Sequence, residues 1–172
     1  MNTLEAIAKR YSVREYMKAP ISQSDLRVLC HAGLMAPSAN NKQPWEMIVV
    51  CWPETLLKLS GIRAPWIALK SAGAAIVIAS RADKYLEQNC AAAAENILLA
   101  AVDVGLCACW LGLYPNMENV REVSELLNLP PYLIPVIVIS LGWPVSDTTQ
   151  RSKVPLEGRV HFERFERKLD SA

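Results

Sequence analysis

Short apolar runs and longer amphipathic segments alternate along the 172-residue chain. Apolar runs bounded by turn-forming residues predict four strands, at residues 46–51, 74–80, 107–113 and 134–141. Apolar residues that recur every three or four positions predict four helices, at residues 4–10, 23–36, 84–104 and 117–128. Residues 53–72 contain at least one further short helix, and residues 145–172 form a loop and an extended tail. Strands separated by helices favour an α/β or α+β fold.

Local signals place the ends of several of these elements. Ser22 and Asn116 are predicted N-caps, because their side-chain oxygens can accept the free N–H groups of a first helical turn. Gly105 is predicted to end the long helix as its C′ residue. The segment Gly142-Trp-Pro144 is predicted to end the last strand. The helix after Ser22 is expected to bury one apolar face, made of Leu26, Leu29, Cys30 and Leu34.

The helix predicted at residues 84–104 differs from the others because its centre is apolar almost all round. Such a helix is buried on most of its sides. Its side chains are also mostly small, so another helix could pack very close to it. We therefore expect this helix to be a candidate for a subunit interface.

The composition of the chain favours a homodimer and argues against several classes of function. Residues 1–172 suit one domain, in which 52% of residues are apolar and 20% charged. This surplus of apolar residues favours burial in a permanent homodimer. A net charge of +1, with no basic stripe, argues against nucleic-acid binding. No apolar run approaches the ~20 residues of a membrane span, which argues against a membrane protein.

The five cysteines predict a reducing compartment. They are odd in number, most lie in apolar stretches, and no signal-like segment opens the chain. We therefore expect free thiols and a cytoplasmic protein. Cys107 and Cys109 form a C-x-C pair with no second pair at zinc spacing, so no metal site is predicted.

Three polar segments are candidates for chemistry. The first, Lys9-Arg-Tyr-Ser-Val-Arg14, has cations and a hydroxyl that suit a phosphate, although a solvated basic turn would look the same. The second, residues 36–45, carries many amide and hydroxyl groups between two prolines, as a plain helix stop and turn also could. The third is the basic group at residues 151–156, which by itself is typical of a solvated tail.

Several common catalytic motifs are absent from the sequence. It has no Gly-x-Gly-x-x-Gly, no P-loop and no Gly-x-Ser-x-Gly. His31 and His161 are the only histidines. An enzyme with so few acid–base side chains is typical of those whose cofactor carries the chemistry.

Taken together, the polar segments and the apolar elements resemble the nitroreductase family of FMN enzymes. The resemblance runs in order from about residue 3 to residue 165, and the loop at residues 36–45 is its most specific part. The matching segments are Arg10-Tyr-Ser-Val-Arg14, Ala36-Pro-Ser-Ala-Asn-Asn-Lys-Gln-Pro-Trp45, Asn96-Ile-Leu-Leu-Ala-Ala101, Gly105-Leu-Cys-Ala-Cys-Trp-Leu-Gly112, Leu126-Leu-Asn-Leu-Pro130 and Gly142-Trp-Pro144.

This resemblance implies a single three-layer α+β domain with a central, mostly antiparallel sheet, in an intertwined homodimer that holds FMN at the subunit interface. By matching position, Arg10, Ser12 and Arg14 would contact the FMN phosphate or the flavin pyrimidine edge, and Arg151 and Lys153 would help to hold the phosphate. The partner subunit would lay Pro37, Ser38, Ala39 and Asn41 against the flavin ring, and Leu111 and Gly112 would lie beside it. Tyr11 stands where the family commonly has a second Arg, which implies either weaker phosphate binding or an added stacking surface.

The resemblance also implies a reaction. Hydride would pass from NADH or NADPH to flavin N5 and then to a small electron-poor acceptor such as a nitroaromatic or a quinone, in a ping-pong cycle with no catalytic side chain. Relatives that use flavin for dehalogenation or flavin degradation stay open, as do a flavin-binding dimer without turnover and a structural domain without a cofactor. The chain is short for the family, which implies an open pocket.

Overall fold

The computed structural model describes residues 1–145 and 158–166. Within these ranges the helices are α1 (Thr3–Lys9), α2 (Gln23–Leu34), α3 (Pro53–Ile62), α4 (Leu86–Asp103) and α5 (Met117–Leu126). Two 3₁₀ helices cover Ala39–Asn41 and Ala64–Lys70. The strands are β1 (Tyr16–Met17), β2 (Trp45–Val50), β3 (Ala74–Arg81), β4 (Cys107–Gly112) and β5 (Leu133–Pro144).

The five strands form one antiparallel sheet around β5. Strand β5 pairs with β3 on one side and with β4 on the other, and β2 extends the sheet beyond β3. The short β1 pairs with the last residues of β5, where Tyr16 lies opposite Pro144. Since the described strands pair only antiparallel with one another, the fold is α+β, as the resemblance implied.

The sheet has helices on both faces, which makes three layers. Ile76 and Ile78 of β3 face the layer that contains α2 and α4. The alternate residues Ala75 and Val77 face α3, α5 and the 3₁₀ helix Ala64–Lys70. Because both faces are covered, β3 and β5 are apolar at nearly every position rather than at every second one.

Most predicted element ends are confirmed. The Ser22 hydroxyl accepts the N–H of Asp25 at 3.0 Å, and the Asn116 side chain accepts the N–H of Asn119 at 3.2 Å. Gly105 follows α4 with a φ of 81°, the left-handed conformation of a C′ glycine. The predicted buried face of α2 is wrong at Leu34, which is exposed, because the smaller Gly33 is the residue that packs against α4 and β2.

The predicted end of β5 is also wrong. The strand continues through Gly142-Trp-Pro144, because β1, which the sequence did not predict, extends the ladder at Tyr16 and Met17. Gly142 allows this pairing: a Cβ atom built on it would lie 2.5 Å from the Cβ and Cγ atoms of Tyr16. Pro144 is the last residue of the strand, where a missing N–H does not break the ladder.

Helix α4 is buried on most sides by its own chain, as its apolar pattern predicted. It contacts α1, α2 and three strands. Ala93, Ala94 and Ile97 are inaccessible to solvent, whereas Ala92 and Leu99 are half-buried. Its place in a subunit interface stays a prediction.

Candidate active site

The segment that follows α1 carries the cations of the first candidate motif. It runs beside the start of β4, where the N–H of Val13 donates to the carbonyl of Ala108 at 3.1 Å and Ser12 forms a parallel bridge to the same residue. Val13 is buried, which fixes the backbone, whereas Ser12 and Arg14 on either side of it are exposed. The alternation of an extended chain therefore presents a hydroxyl and a guanidinium together on the open side.

A buried tyrosine, Tyr16, joins this segment to β5 through hydrogen bonds. The Tyr16 hydroxyl donates to the carbonyl of Val13 at 2.7 Å and lies 2.8 Å from the hydroxyl of Ser140, in the centre of β5. A phenol has one proton, so the Ser140 hydroxyl is the donor in the second contact. Burial raises the pKa of Tyr16 well above its usual range. The anchor is therefore a neutral hydrogen-bond network.

The cations of the segment differ in their partners. Arg10 is half-buried and lies 3.6 Å from a carboxylate oxygen of Glu95 on α4. Such a partly exposed ion pair is weak and exchanges readily for a stronger anion. Arg14 has no carboxylate partner among the described residues.

Two thiols of β4, those of Cys107 and Cys109, lie next to the segment. Burial raises the pKa of Cys109, while the nearby charge of Arg14 and the hydroxyl of Ser12 act in the opposite direction. The hydroxyl of Tyr11 lies 3.9 Å from the sulfur of Cys107, whose pKa burial also raises. Tyr11 is thus half-buried against β4. Raised pKa values keep both thiols protonated near neutral pH, so they add no negative charge to the site.

The second candidate motif forms a tight loop with an unusual backbone. Asn40, Asn41 and Gln43 have φ values of 54°, 53° and 47°. Asparagine tolerates this left-handed region because its side chain bonds locally, whereas glutamine rarely adopts it. The N–H of Gln43 donates to the Ser38 hydroxyl at 2.9 Å, and the Gln43 side chain donates to that of Asn41 at 3.0 Å. These bonds hold the strained turn closed.

Two further contacts fasten the loop to α4 and the residues before it. The N–H of Ala39 donates to the side-chain oxygen of Asn89 at 2.9 Å. Lys42 pairs with Asp83 at 2.9 Å, and the pKa of Asp83 is held below its usual range by the Tyr85 N–H and by this lysine. Asn89 is buried, and its side-chain nitrogen has no hydrogen-bond partner among the described residues. The loop is therefore fastened to a buried amide whose own donor is left unsatisfied by the described residues.

The end of β4 offers an open position. Leu111 points into the core, whereas Gly112 is exposed, with no heavy atom within 4 Å of a Cβ built on it. The carbonyl of Gly112 accepts a hydrogen bond of 2.6 Å from the guanidinium of Arg63, at the end of α3. The place of Leu111 and Gly112 beside a flavin ring stays a prediction.

The structure brings some of the predicted residues together and keeps others apart. Arg10, Tyr11, Ser12 and Arg14 form one cluster beside β4. The loop of Pro37, Ser38, Ala39 and Asn41 contacts α4 at Asn89, six positions before Glu95, which is about 9 Å along the helix and about 120° around it. Within one chain these two clusters therefore attach to different sides of α4. Arg151 and Lys153 lie outside the described residues.

Sequence reasoning missed four residues of the site: Tyr16, Ser140, Asn89 and Arg63. Asn89 could have been found from the sequence, because an amide side chain in a buried, Ala-rich helix needs a polar partner. The other three act through contacts between distant segments, and no local pattern marks them. In the described ranges no cluster of three or more metal-ligating side chains occurs, and no helix there has the length and apolarity to cross a bilayer.

Comparison with known proteins assigns this geometry to a family. The family model of the nitroreductase family matches residues 7–63 and 63–143. A protein of Archaeoglobus fulgidus, provisionally named NADH dehydrogenase/NAD(P)H nitroreductase, is 41% identical over 82% of this chain and 84% of its own. A provisionally named protein of the same kind from Bacteroides thetaiotaomicron has a crystal structure that matches with a TM-score of 0.90 and 30% identity, over 95% of this chain and 98% of that one.

A third match was solved with a ligand. It is a provisionally named nitroreductase of Desulfovibrio desulfuricans in complex with FMN, with a TM-score of 0.80 and 27% identity over 96% of this chain and 98% of that one.

Proposed function

The chain belongs to the nitroreductase family, and we propose that it is an FMN-dependent oxidoreductase that carries reducing equivalents from NADH or NADPH to small electron-poor acceptors such as nitroaromatics and quinones. One observation supports this most strongly. The segment of residues 10–14 is fixed by buried hydrogen bonds on β4, yet its cations and hydroxyl remain open to a ligand.

The residues of this segment fit the phosphate of FMN. Arg10 and Arg14 supply guanidinium forks and Ser12 a further donor, which suits a phosphate better than any neutral group. Hydrogen bonds to a charged group are worth roughly 1.5–3 kcal/mol each, so a few of them can hold the cofactor without a glycine-rich loop. The protonated thiols of Cys107 and Cys109 leave the local charge positive.

The flavin, when bound, supplies the redox chemistry by accepting hydride and passing it on. The residues of the chain bind and orient the reactants. Arg10, Ser12 and Arg14 hold the phosphate or the pyrimidine edge, and the open position at Gly112 leaves room for a ring and for the acceptor beside it. The described site holds no histidine, which agrees with a reaction in which no side chain serves as acid or base.

We further propose that the active unit is a homodimer in which the loop of residues 37–41 completes the site of the other copy. The two clusters lie on different sides of α4 in one chain, so a second copy is the simplest way to bring both to one cofactor. Exposed apolar side chains on α1 and α2 and in the turn after α2 support such a contact; they are Leu4, Ile7, Val28, Leu34 and Met35. Sedimentation should then give about twice the chain mass of 19.1 kDa.

The five cysteines are all free in this chain, which supports the cytoplasm as its location.

The experiment that tests the FMN assignment compares two neighbouring cations. Arg10→Ala should weaken FMN binding at least tenfold, because one charge-assisted contact to the phosphate is lost. Lys9→Ala is the matched control, since it removes the same charge one residue away, at the exposed end of α1, and should change FMN affinity less than threefold. Both variants should keep the thermal stability of the apoprotein within about 0.5 kcal/mol. An unchanged FMN affinity in Arg10→Ala would remove the phosphate assignment.

Turnover tests the activity itself. The purified protein should be yellow or should take up added FMN, and it should then oxidise NADH or NADPH steadily when a quinone or a nitroaromatic is supplied. Flavin reduction without acceptor turnover would instead support a binding protein or a relative with other chemistry. A colourless protein that takes up no FMN would refute the proposal.

A further inference from the structure

Arg63 is a cation that neither the family motifs nor the FMN contacts account for. It stands at the junction of α3 and the 3₁₀ helix Ala64–Lys70, outside the six segments that carry the family resemblance. Its guanidinium donates to the carbonyl of Gly112 at 2.6 Å. The side chain thus reaches the residue at the open end of β4.

The position of Arg63 is fixed from two sides. Its carbonyl accepts the N–H of Trp66 at 2.9 Å, which starts the 3₁₀ helix. That helix is itself anchored, because Trp66 is buried and Ala68 packs against Val13 and Tyr16. The backbone of Arg63 is therefore fixed, and the bond to Gly112 orients the guanidinium, so less entropy is lost when it forms a further bond.

The charge of Arg63 is not neutralised by its own chain. No carboxylate lies within 4.0 Å of it in the described parts of the structure, whereas Arg10, Lys42 and Arg121 each have one. A guanidinium has five N–H donors in a planar fork. The single bond to Gly112 leaves donors that can bind a planar oxyanion in two-point contact.

The residue that Arg63 contacts is itself open to solvent. A Cβ atom built on Gly112 would have no neighbour within 4 Å. Along β4, Gly112 lies four residue steps, roughly 13 Å, from Ala108, the residue to which Ser12 of the phosphate-binding segment is bridged. The carbonyl that Arg63 contacts is thus at the other end of β4 from that segment, which favours an anion other than the FMN phosphate.

Resting on the proposed function, we infer that Arg63 is a specificity-determining residue that binds an anionic oxygen group of the molecule beside the end of β4. That group is the carboxylate of an electron-poor acceptor or a phosphate of the reduced dinucleotide. Both molecules occupy this place in turn in a ping-pong cycle, so one cation can serve either. The enzyme accordingly prefers anionic acceptors to neutral ones of the same shape, or binds the dinucleotide through this contact.

The test compares Arg63→Gln with the wild-type protein on two acceptors of matched shape, 4-nitrobenzoate and 4-nitrobenzamide. Glutamine keeps an N–H for the Gly112 carbonyl and removes the charge. We expect kcat/KM for 4-nitrobenzoate to fall about tenfold and that for 4-nitrobenzamide to change less than twofold. The dissociation constant of 4-nitrobenzoate, measured by calorimetry on the oxidised holoprotein, should rise by the same factor.

Two comparisons separate charge from structure. Arg63→Lys keeps the charge and should recover part of the preference for the benzoate, and the wild-type preference should shrink as salt is raised. Arg121→Gln, which removes an exposed cation from α5, is the control and should leave the ratio unchanged. A higher KM for NADH or NADPH in Arg63→Gln, with both acceptors unaffected, would assign the contact to the dinucleotide phosphate.

Equal losses for both acceptors and the dinucleotide would overturn the inference, because Arg63 would then only hold the end of β4. An unchanged benzoate-to-benzamide ratio, together with an unchanged KM for the dinucleotide, would overturn it as well. Either result, obtained with a flavin-loaded and active enzyme, leaves the proposed function standing. Failure of the wild-type protein to bind FMN would instead refute the proposed function.

Discussion

The Tyr16 network is the part of the site whose energetic role can be worked out most fully. Replacing Tyr16 by Phe removes one oxygen atom and leaves the ring in its place. The carbonyl of Val13 then loses its donor at 2.7 Å, and the hydroxyl of Ser140 loses its acceptor at 2.8 Å. Tyr16 is 3% exposed and Ser140 is inaccessible, so water cannot easily replace the missing group.

The magnitude follows from this burial. A buried polar group left without its partner costs about 1–3 kcal/mol. Because the Ser140 hydroxyl can rotate towards another acceptor, whereas the Val13 carbonyl cannot move away from the segment, we expect a loss of about 2 kcal/mol in the free energy of unfolding. Affinity for FMN should fall as well, because the backbone between Ser12 and Arg14 loses one of the hydrogen bonds that hold it.

Denaturant unfolding of the apoprotein measures the first quantity, and FMN titration measures the second. The double variant with Ser140→Ala completes a cycle, and a coupling of about 0.5–3 kcal/mol is expected for groups in one network. A loss below about 0.5 kcal/mol in Tyr16→Phe, which is typical of surface changes, would refute the reasoning. So would a coupling of zero, because it would show that the two hydroxyls act independently.

The same residue predicts how stability depends on alkaline pH. Burial raises the pKa of folded Tyr16 far above the value near 10 of an unfolded chain. Above that pH the unfolded state binds fewer protons than the folded state, so stability is complete below pH ~10 and falls as pH rises further. Tyr16→Phe should remove this part of the slope.

Two smaller predictions follow from packing and from thiol ionisation. Gly142→Ala should lower the free energy of unfolding by about 1–3 kcal/mol or more, because the new Cβ would lie 2.5 Å from the Tyr16 ring. The control Gly61→Ala, in α3, adds a Cβ with no neighbour within 4 Å and should be neutral or stabilising by up to ~1 kcal/mol. Chemical unfolding of both variants measures the difference. At pH 8 a thiol reagent should label the exposed Cys51 in the native protein but label Cys90 only after unfolding. Cys90 is inaccessible to solvent, and burial raises its pKa to about 12. Mass spectrometry of the labelled peptides measures the order, and labelling of Cys90 in the native protein would contradict the prediction.

The elements were predictable where their signal is local. Ser22 and Asn116 cap helices because their side-chain oxygens accept free N–H groups of the first helical turn. Gly105 ends α4 because few other residues adopt its φ readily. The cations of residues 10–14 were likewise visible as a group, and the structure places them on one segment.

What the sequence could not predict depends on partners far along the chain. Strand β1 has two residues and no periodic signal, and it exists because β5 is long enough to pair with it. Gly142 looked like a strand end because glycine commonly breaks strands, but here it makes room for the ring of Tyr16, which lies 126 positions earlier. The bond from Arg63 to Gly112 joins residues 49 positions apart, and no local sequence pattern around Arg63 predicts it.

The site separates the groups that fix its shape from the groups that meet the ligand. Neutral, buried hydrogen bonds from Tyr16 and Asn89 hold the two polar segments in place. The cations at Arg10, Arg14 and Arg63 are exposed or half-buried and have at most one weak ion pair or carbonyl contact. Charges that contribute little to folding can be replaced without unfolding the chain, whereas the neutral anchors cannot. Substitutions at the cations should therefore change ligand affinity and specificity, and substitutions at the anchors should change stability and affinity together.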